Sequence, residues 1–158
     1  MSRGLAAFAL AVLCFGTAWS QAADTIPPFD IVLANGQHFT KSGLKKHVPV
    51  MVVYFDPTCS HCEEFARNLA AQVDHFRGAR IVMVTFVPLS GITDFAATYH
   101  LDKPWVILGT EGATLVLQKY YQVREFPVIA LYDRQGKQIR LYRQKYPEIS
   151  FLHDQLFK

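Results

Sequence analysis

Apolar residues along this chain fall into runs and periods that alternate between strand and helix. Val50-Met51-Val52-Val53-Tyr54-Phe55 completes a near-continuous apolar run from Val48, the pattern of a central strand covered on both faces. Asp56-Pro57-Thr58 turns the chain. Beyond it Cys62, Phe65, Ala66, Leu69, Ala70, Val73 and Phe76 recur at three- and four-residue intervals, while Glu63, Glu64, Arg67, Asn68 and Asp74 take the remaining positions. The spacing predicts one long amphipathic helix ending before Gly78. Ile81 to Val87 reads as a second buried strand, stopped by Pro88. Strand, helix and strand of these lengths make a right-handed crossover with parallel strands.

The flanks carry the same alternation. Phe29 to Leu33 and Gln37 to Thr40 are short strands joined by Asn35-Gly36, a two-residue hairpin turn, and Ser42 to Lys46 can form a helical turn. After Pro88 the pattern predicts a helix over Thr93 to His100, a strand over Trp105 to Leu108 and a helix over Ala113 to Tyr121. Pro127 to Tyr132 and Lys137 to Tyr142 are strands around an Asp133-Arg134-Gln135-Gly136 turn, and Pro147-Glu148 suits the first turn of a closing helix through Phe157. The fold class is therefore α/β: a central mixed β-sheet flanked by helices, with an N-terminal β-hairpin and an inserted helix–strand element.

The first 22 residues stand apart. Arg3 is followed by an unbroken apolar and small-residue run from Leu5 to Phe15, and Ser20-Gln21-Ala22 forms a small-x-small cleavage site. Residues 1–22 are expected to be a secretory signal peptide, 23–28 a short linker and 29–158 one domain. The apolar run is shorter than the roughly 20 residues that span a bilayer, so no stable membrane insertion is expected after cleavage. Cys14 lies within the run behind Leu13, where a lipoprotein would carry a small residue. Cleavage leaves about 136 residues, enough to bury roughly 65–70% of the unfolded surface without cross-links. Loss of Arg3 lowers the formal charge from +3 to about +2, too mild for a nucleic-acid partner or a polybasic membrane patch.

Only Cys59 and Cys62 remain in the mature chain. A disulfide over so short a loop would constrain the unfolded chain little, so the pair points to redox chemistry. Cys59 falls at the mouth of the predicted helix and Cys62 one turn in. Backbone N–H groups at a helix N-terminus stabilise a thiolate, which assigns attack to Cys59 and resolution of the mixed disulfide to Cys62. Ser60 and His61 lie between them and tune the couple. An imidazolium at His61 favours the reduced form and makes the pair more oxidising. Glu64 can serve as a proton acceptor for Cys62. His38, His47, His75, His100 and His153 are not spaced as the second half of a zinc site, and four cysteines are lacking for an iron–sulfur cluster. Cuprous copper on the two thiolates plus a distant histidine is the metal alternative.

With these motifs in hand, the chain resembles the thioredoxin-like superfamily, and within it the exported thiol–disulfide oxidoreductases of the TlpA and ResA type. The resemblance runs from about Pro28 to Tyr142. It rests on the opening hairpin, on Tyr54-Phe55-Asp56-Pro57-Thr58-Cys59-Ser60-His61-Cys62, and on the extra helix and strand around Phe95 to Leu108. Tyr121 to Pro127 and Leu131 to Gly136 complete it. The resemblance implies a cis Phe126-Pro127 bond, with the Phe126 backbone pairing with an extended substrate. It also implies protein thiols or disulfides as partners, a membrane electron donor, a periplasmic or secreted location, and neither cofactor nor metal.

This sequence departs from the family at several positions. Val53 stands where thioredoxins hold a buried acid, Thr58 where a tryptophan is usual, and Phe126 is bulkier than the common residue before the cis-proline. The scaffold implies a reductase, whereas the Ser60-His61 dipeptide leans toward an oxidase or isomerase. Asp56 occupies the place of the peroxiredoxin threonine, which disfavours peroxidase activity. A copper-binding or non-catalytic adaptor of the same fold remains the alternative class.

Overall fold

The computed structural model describes residues 25–158, so the expected signal peptide and the first two linker residues lie outside the described residues. The segment read as linker is packed against the domain from Thr25 onward. Thr25 bridges to Lys137, the Ile26 N–H reaches the Gly136 carbonyl at 3.2 Å, and Ile26 is buried.

Seven strands form one mixed sheet: β1 (Asp30–Leu33), β2 (His38–Thr40), β3 (Val50–Tyr54), β4 (Arg80–Thr85), β5 (Val106–Thr110), β6 (Val128–Tyr132) and β7 (Gln138–Arg143). Their order is β2-β1-β5-β4-β3-β6-β7. β3, β4 and β5 are parallel to one another, while β1, β2, β6 and β7 pair antiparallel to their neighbours. The four α-helices are α1 (Ser60–Ala70), α2 (Leu89–Thr98), α3 (Val116–Tyr120) and α4 (Ile149–Leu156).

The period of two along β3 divides the core. Met51, Val53 and Phe55 face one layer with Phe65, Leu69, Phe76, Phe95, Leu152 and Leu156. Val50, Val52 and Tyr54 face the other, with Ile31, Val82, Val84, Leu117, Tyr121 and Tyr132. Every residue of β3 is buried, which is why its sequence reads as an apolar run rather than an alternation. At the β1–β5 pairing the Gly109 backbone passes so close to Val32 that an added Cβ would meet the Val32 carbonyl at 2.9 Å and Ile31 Cδ1 at 3.0 Å.

Several helix expectations are corrected. The helix after the cysteines stops at Ala70, and Gln72 (φ −128°, ψ 6°) leaves helical geometry before a 3₁₀ segment at Val73–Gly78. Residues three apart eclipse in a 3₁₀ turn, so Val73 and Phe76 stay on the core side and keep the apolar period going past the break. The turn at Ser42 to Lys46 is a single 3₁₀ turn at Lys41–Gly43. α2 starts at Leu89, directly after Pro88, four residues before the expected Thr93. The helix expected over Ala113 to Tyr121 is interrupted at Leu115, whose φ of 49° lies in the left-handed region, between a 3₁₀ turn and α3. Glu148 is the N-cap of α4, so Pro147 precedes that helix rather than opening it.

Candidate redox site at the carboxyl edge of the sheet

Strand register brings distant segments together. Tyr54 at the end of β3 stands opposite Val84 of β4 and Val128 of β6, and Thr85 stands opposite Thr110 of β5. The segments leaving this edge, Phe55 to Cys59, Phe86 to Pro88, Glu111 and the approach through Phe126-Pro127, are therefore neighbours. The carboxyl edge of parallel strands is the usual location for a site in an α/β sheet.

Cys59 is the N-cap of α1 in an extended conformation (φ −87°, ψ 123°), and its carbonyl accepts the Cys62 and Glu63 N–H groups at 2.9 and 3.0 Å. The first amides of a helix have no intrahelical acceptor, so positive potential gathers beside this residue. Cys59 is half-buried and Cys62 is buried, and both are free thiols. Burial pushes the Cys62 thiol far above the ordinary cysteine range. A hydrogen bond from the Asp56 backbone N–H opposes the shift, whereas the Cys59 sulfur, by charge and hydrogen bond, and the Asp56 carboxylate add to it. One sulfur is thus partly open to solvent and the other enclosed.

Ser60 and His61 are exposed between them, and Glu64 is exposed on α1. Glu64 acts electrostatically on Tyr146, whose phenol is raised by burial first, then by Glu64 and Cys62, with Arg67 opposing. The Tyr146 ring stands edge-on to Phe65, at 5.1 Å between centroids, and packs against the core cluster that includes Cys62.

The Phe126-Pro127 peptide bond is cis, as the resemblance implies, and Pro127 is buried at the start of β6. The Phe126 ring lies between Tyr54 (6.2 Å) and Phe86 (5.9 Å), stacked on both, and Phe86 is 38% exposed. Below this stack is a carboxylate that sequence reasoning missed. Glu111 is 5% exposed; its Oε1 accepts the Tyr54 hydroxyl at 2.7 Å and the Gln118 N–H at 3.2 Å, and its Oε2 accepts the Leu117 N–H at 2.7 Å. One side chain therefore caps α3 and fixes the tyrosine under Phe126. Burial, then the bond to Glu111 and its charge, push the Tyr54 phenol well above its usual range. The Asp56 side chain folds back on the turn before Cys59, its Oδ1 accepting the Thr58 N–H at 2.9 Å and the Thr58 hydroxyl at 2.8 Å. Among the described residues, no group of three or more metal-ligating side chains converges.

A thioredoxin-like domain model matches residues 37–148, most of the chain. The protein belongs to the thioredoxin-like family. No curated protein sequence matches the chain. Among solved structures it is similar to a secreted Mycobacterium tuberculosis disulfide oxidoreductase homologous to E. coli DsbE, with 14% identity over 82% of this chain and 94% of that one and a TM-score of 0.68. It is also similar to the peroxidoxin BcpB of M. tuberculosis (16% identity, 85% and 93% covered, TM-score 0.70). A third is the copper-bound ScoI of Arabidopsis thaliana (16%, 84% and 93%, TM-score 0.63). At these identities the likeness is one of fold, and it extends over nearly the whole of each neighbour.

Proposed function

We propose that this thioredoxin-like protein is an exported thiol–disulfide oxidoreductase of the TlpA/ResA type, acting through Cys59 and Cys62 and running chiefly as a reductant of partner disulfides. The observation that carries the reading is the inequality of the two thiols: Cys59 half-exposed at the N-cap of α1, Cys62 enclosed one turn in. The helix N-terminus favours negative charge on the first sulfur, and burial favours a neutral thiol on the second until it is needed. The Cys59 thiolate attacks a partner disulfide, forms a mixed disulfide and releases the partner's first thiolate. Cys62 then attacks the Cys59 sulfur, closing the Cys59–Cys62 disulfide and releasing the second. Val128, next to Pro127, pairs with Tyr54 at the end of β3, and Phe126 packs on the same core cluster as Cys59, which supports a role for the Phe126 backbone in pairing with an extended substrate segment. Reduction of the pair after each turn calls for an electron donor, which for an exported protein resides in the membrane. The apolar N-terminal run supports export to the periplasm or beyond, and among the described residues no helix is long and apolar enough to cross a membrane.

The exposed His61 between the cysteines favours a second direction, oxidation or isomerisation of partner thiols, because an imidazolium there stabilises the reduced pair. The test of exchange itself is a Cys62→Ala variant incubated with a small protein disulfide. A covalent adduct at Cys59 that reductant releases is expected; absence of any adduct refutes the assignment.

A further inference from the structure

The end of the sheet opposite the cysteines carries a groove of about 370 Å³. Its floor is apolar, formed by Ile26, Leu44, Val48 and Val50, and its rim holds Lys41, Lys45, Lys46, Arg134 and the His47 imidazole. Val50 opens β3 and pairs with Arg80 and Tyr132, whereas Cys59 follows Tyr54 at the other end of the same strand, so groove and redox pair sit at opposite edges. His47 has a left-handed backbone (φ 58°) and, with Lys45, Lys46 and Arg134, is exposed. Among the described residues none of the Lys45, Lys46 and Arg134 side chains is paired with a carboxylate. Asp133, beside Arg134, turns its Oδ1 onto the Gln135 and Lys137 N–H groups, each at 2.9 Å. Averaged over the chain the charges nearly cancel, yet the fold gathers an unneutralised set at this edge.

The segment that precedes the domain joins it here too. Thr25 bridges to Lys137, and the Lys41 ammonium donates to the Ile26 carbonyl. The apolar run from Leu5 to Phe15 is separated from Thr25 by residues 16–24, a reach of at most about 30 Å. A membrane that holds that run therefore lies within reach of the groove. Cations ringing an apolar hollow match a bilayer interface, where phosphates stand over acyl chains. We propose that this basic edge is a docking surface for anionic phospholipid headgroups, holding the domain on the membrane with the cysteine edge turned away. The proposal goes beyond the exchange reading and does not depend on it. Lys45, Lys46 and Arg134 meet the lipid phosphates, each adding roughly fivefold to the partition onto the membrane. Bound in this way, the domain keeps Cys59 open to partners and stays near a donor resident in the membrane.

The full chain is mixed with vesicles of phosphatidylcholine, alone or with added phosphatidylglycerol, and bound protein is measured by flotation. The apolar N-terminal run is common to every variant, so differences among variants report the domain. The unaltered chain is expected to bind the anionic vesicles at least about tenfold more tightly than the neutral ones, with the preference lost in high salt. Lys45→Gln, Lys46→Gln and Arg134→Gln together should remove most of that preference. Lys119→Gln, Arg124→Gln and Lys145→Gln, which take the same charge from elsewhere, should leave it within about twofold. All these positions are exposed, so the fold is kept, which circular dichroism checks. Iodoacetamide should label Cys59 at the same rate with and without vesicles. No preference for anionic vesicles in the unaltered chain overturns the proposal, as does an equal loss in the two triple variants, which makes net charge the whole cause. Retention on immobilised polyglutamate without any vesicle preference overturns it in favour of an acidic polypeptide partner. Slower labelling of Cys59 on anionic vesicles puts the cysteine edge against the lipid and overturns it as well.

Discussion

Replacing Glu111 by alanine should cost this protein a large share of its stability. The side chain is 5% exposed and accepts three hydrogen bonds, from the Tyr54 hydroxyl, the Leu117 N–H and the Gln118 N–H. Each donor left without a partner in a buried site costs about 1–3 kcal/mol. Tyr54 is fully buried and has no second strong acceptor, since Gln118 Oε1 stands 3.4 Å away. Water entering the vacated space can serve the two amides in part, which brings the expected loss to about 3–5 kcal/mol against a total of roughly 5–15 for a domain. Glu111→Gln keeps one acceptor oxygen but turns an amino group toward a backbone donor, for a loss of about 1–3 kcal/mol. Tyr54→Phe removes only the hydroxyl and leaves the carboxylate its two amides, for about 1–2 kcal/mol. Urea unfolding followed by tryptophan fluorescence gives all three from the midpoints, provided the slopes agree. A loss below about 1 kcal/mol for Glu111→Ala, or a larger loss for Tyr54→Phe than for Glu111→Ala, would refute the role assigned to this carboxylate.

Further outcomes follow from other parts of the molecule. Gly109→Ala should destabilise by about 1–3 kcal/mol, because its Cβ meets the Val32 carbonyl at 2.9 Å, and limited proteolysis should then cut first in the β1–β2 hairpin. Iodoacetamide should label Cys59 rapidly in the native reduced protein and Cys62 only after unfolding, which a mass count of adducts over time checks. The raised Cys62 thiol predicts a pH dependence. Its contribution to stability is complete below the unfolded thiol's pKa of about 8.5 and is lost as pH rises toward the higher folded value, by up to about 1.4 kcal/mol per pH unit, because the unfolded chain gives up its proton first. Reduced protein compared with Cys62→Ala between pH 8 and pH 10 isolates this from Tyr54, Tyr121 and Tyr146, which shift in the same direction; parallel curves would contradict it.

Much of the molecule was legible because its signals are local. The apolar run of β3, the hairpin turn at Asn35-Gly36 and the three- and four-residue period after Cys59 each reflect one element packing on one face. What escaped was nonlocal or ambiguous. Val73 and Phe76 fit a helical period, yet a 3₁₀ turn places them equally well, so the break at Gln72 leaves no trace in the spacing. Glu111 caps α3 from before a left-handed Leu115, a geometry with no sequence spacing of its own. Its tyrosine partner is 57 residues away on β3. Glu64 lies close in sequence to Cys62, and nothing in that spacing announces its exposed position on α1.

On the proposed function, Cys59 and Cys62 form a reversible dithiol–disulfide couple poised to reduce partner disulfides. Equilibrating the protein in graded redox buffers and counting thiols at each point measures it directly. One two-electron transition is expected, with a midpoint near about −250 mV or lower, in the range of thioredoxin-like reductants. A midpoint between about −180 and −120 mV would contradict the reductant direction, and no reversible transition at all would contradict thiol–disulfide exchange as the function of this site.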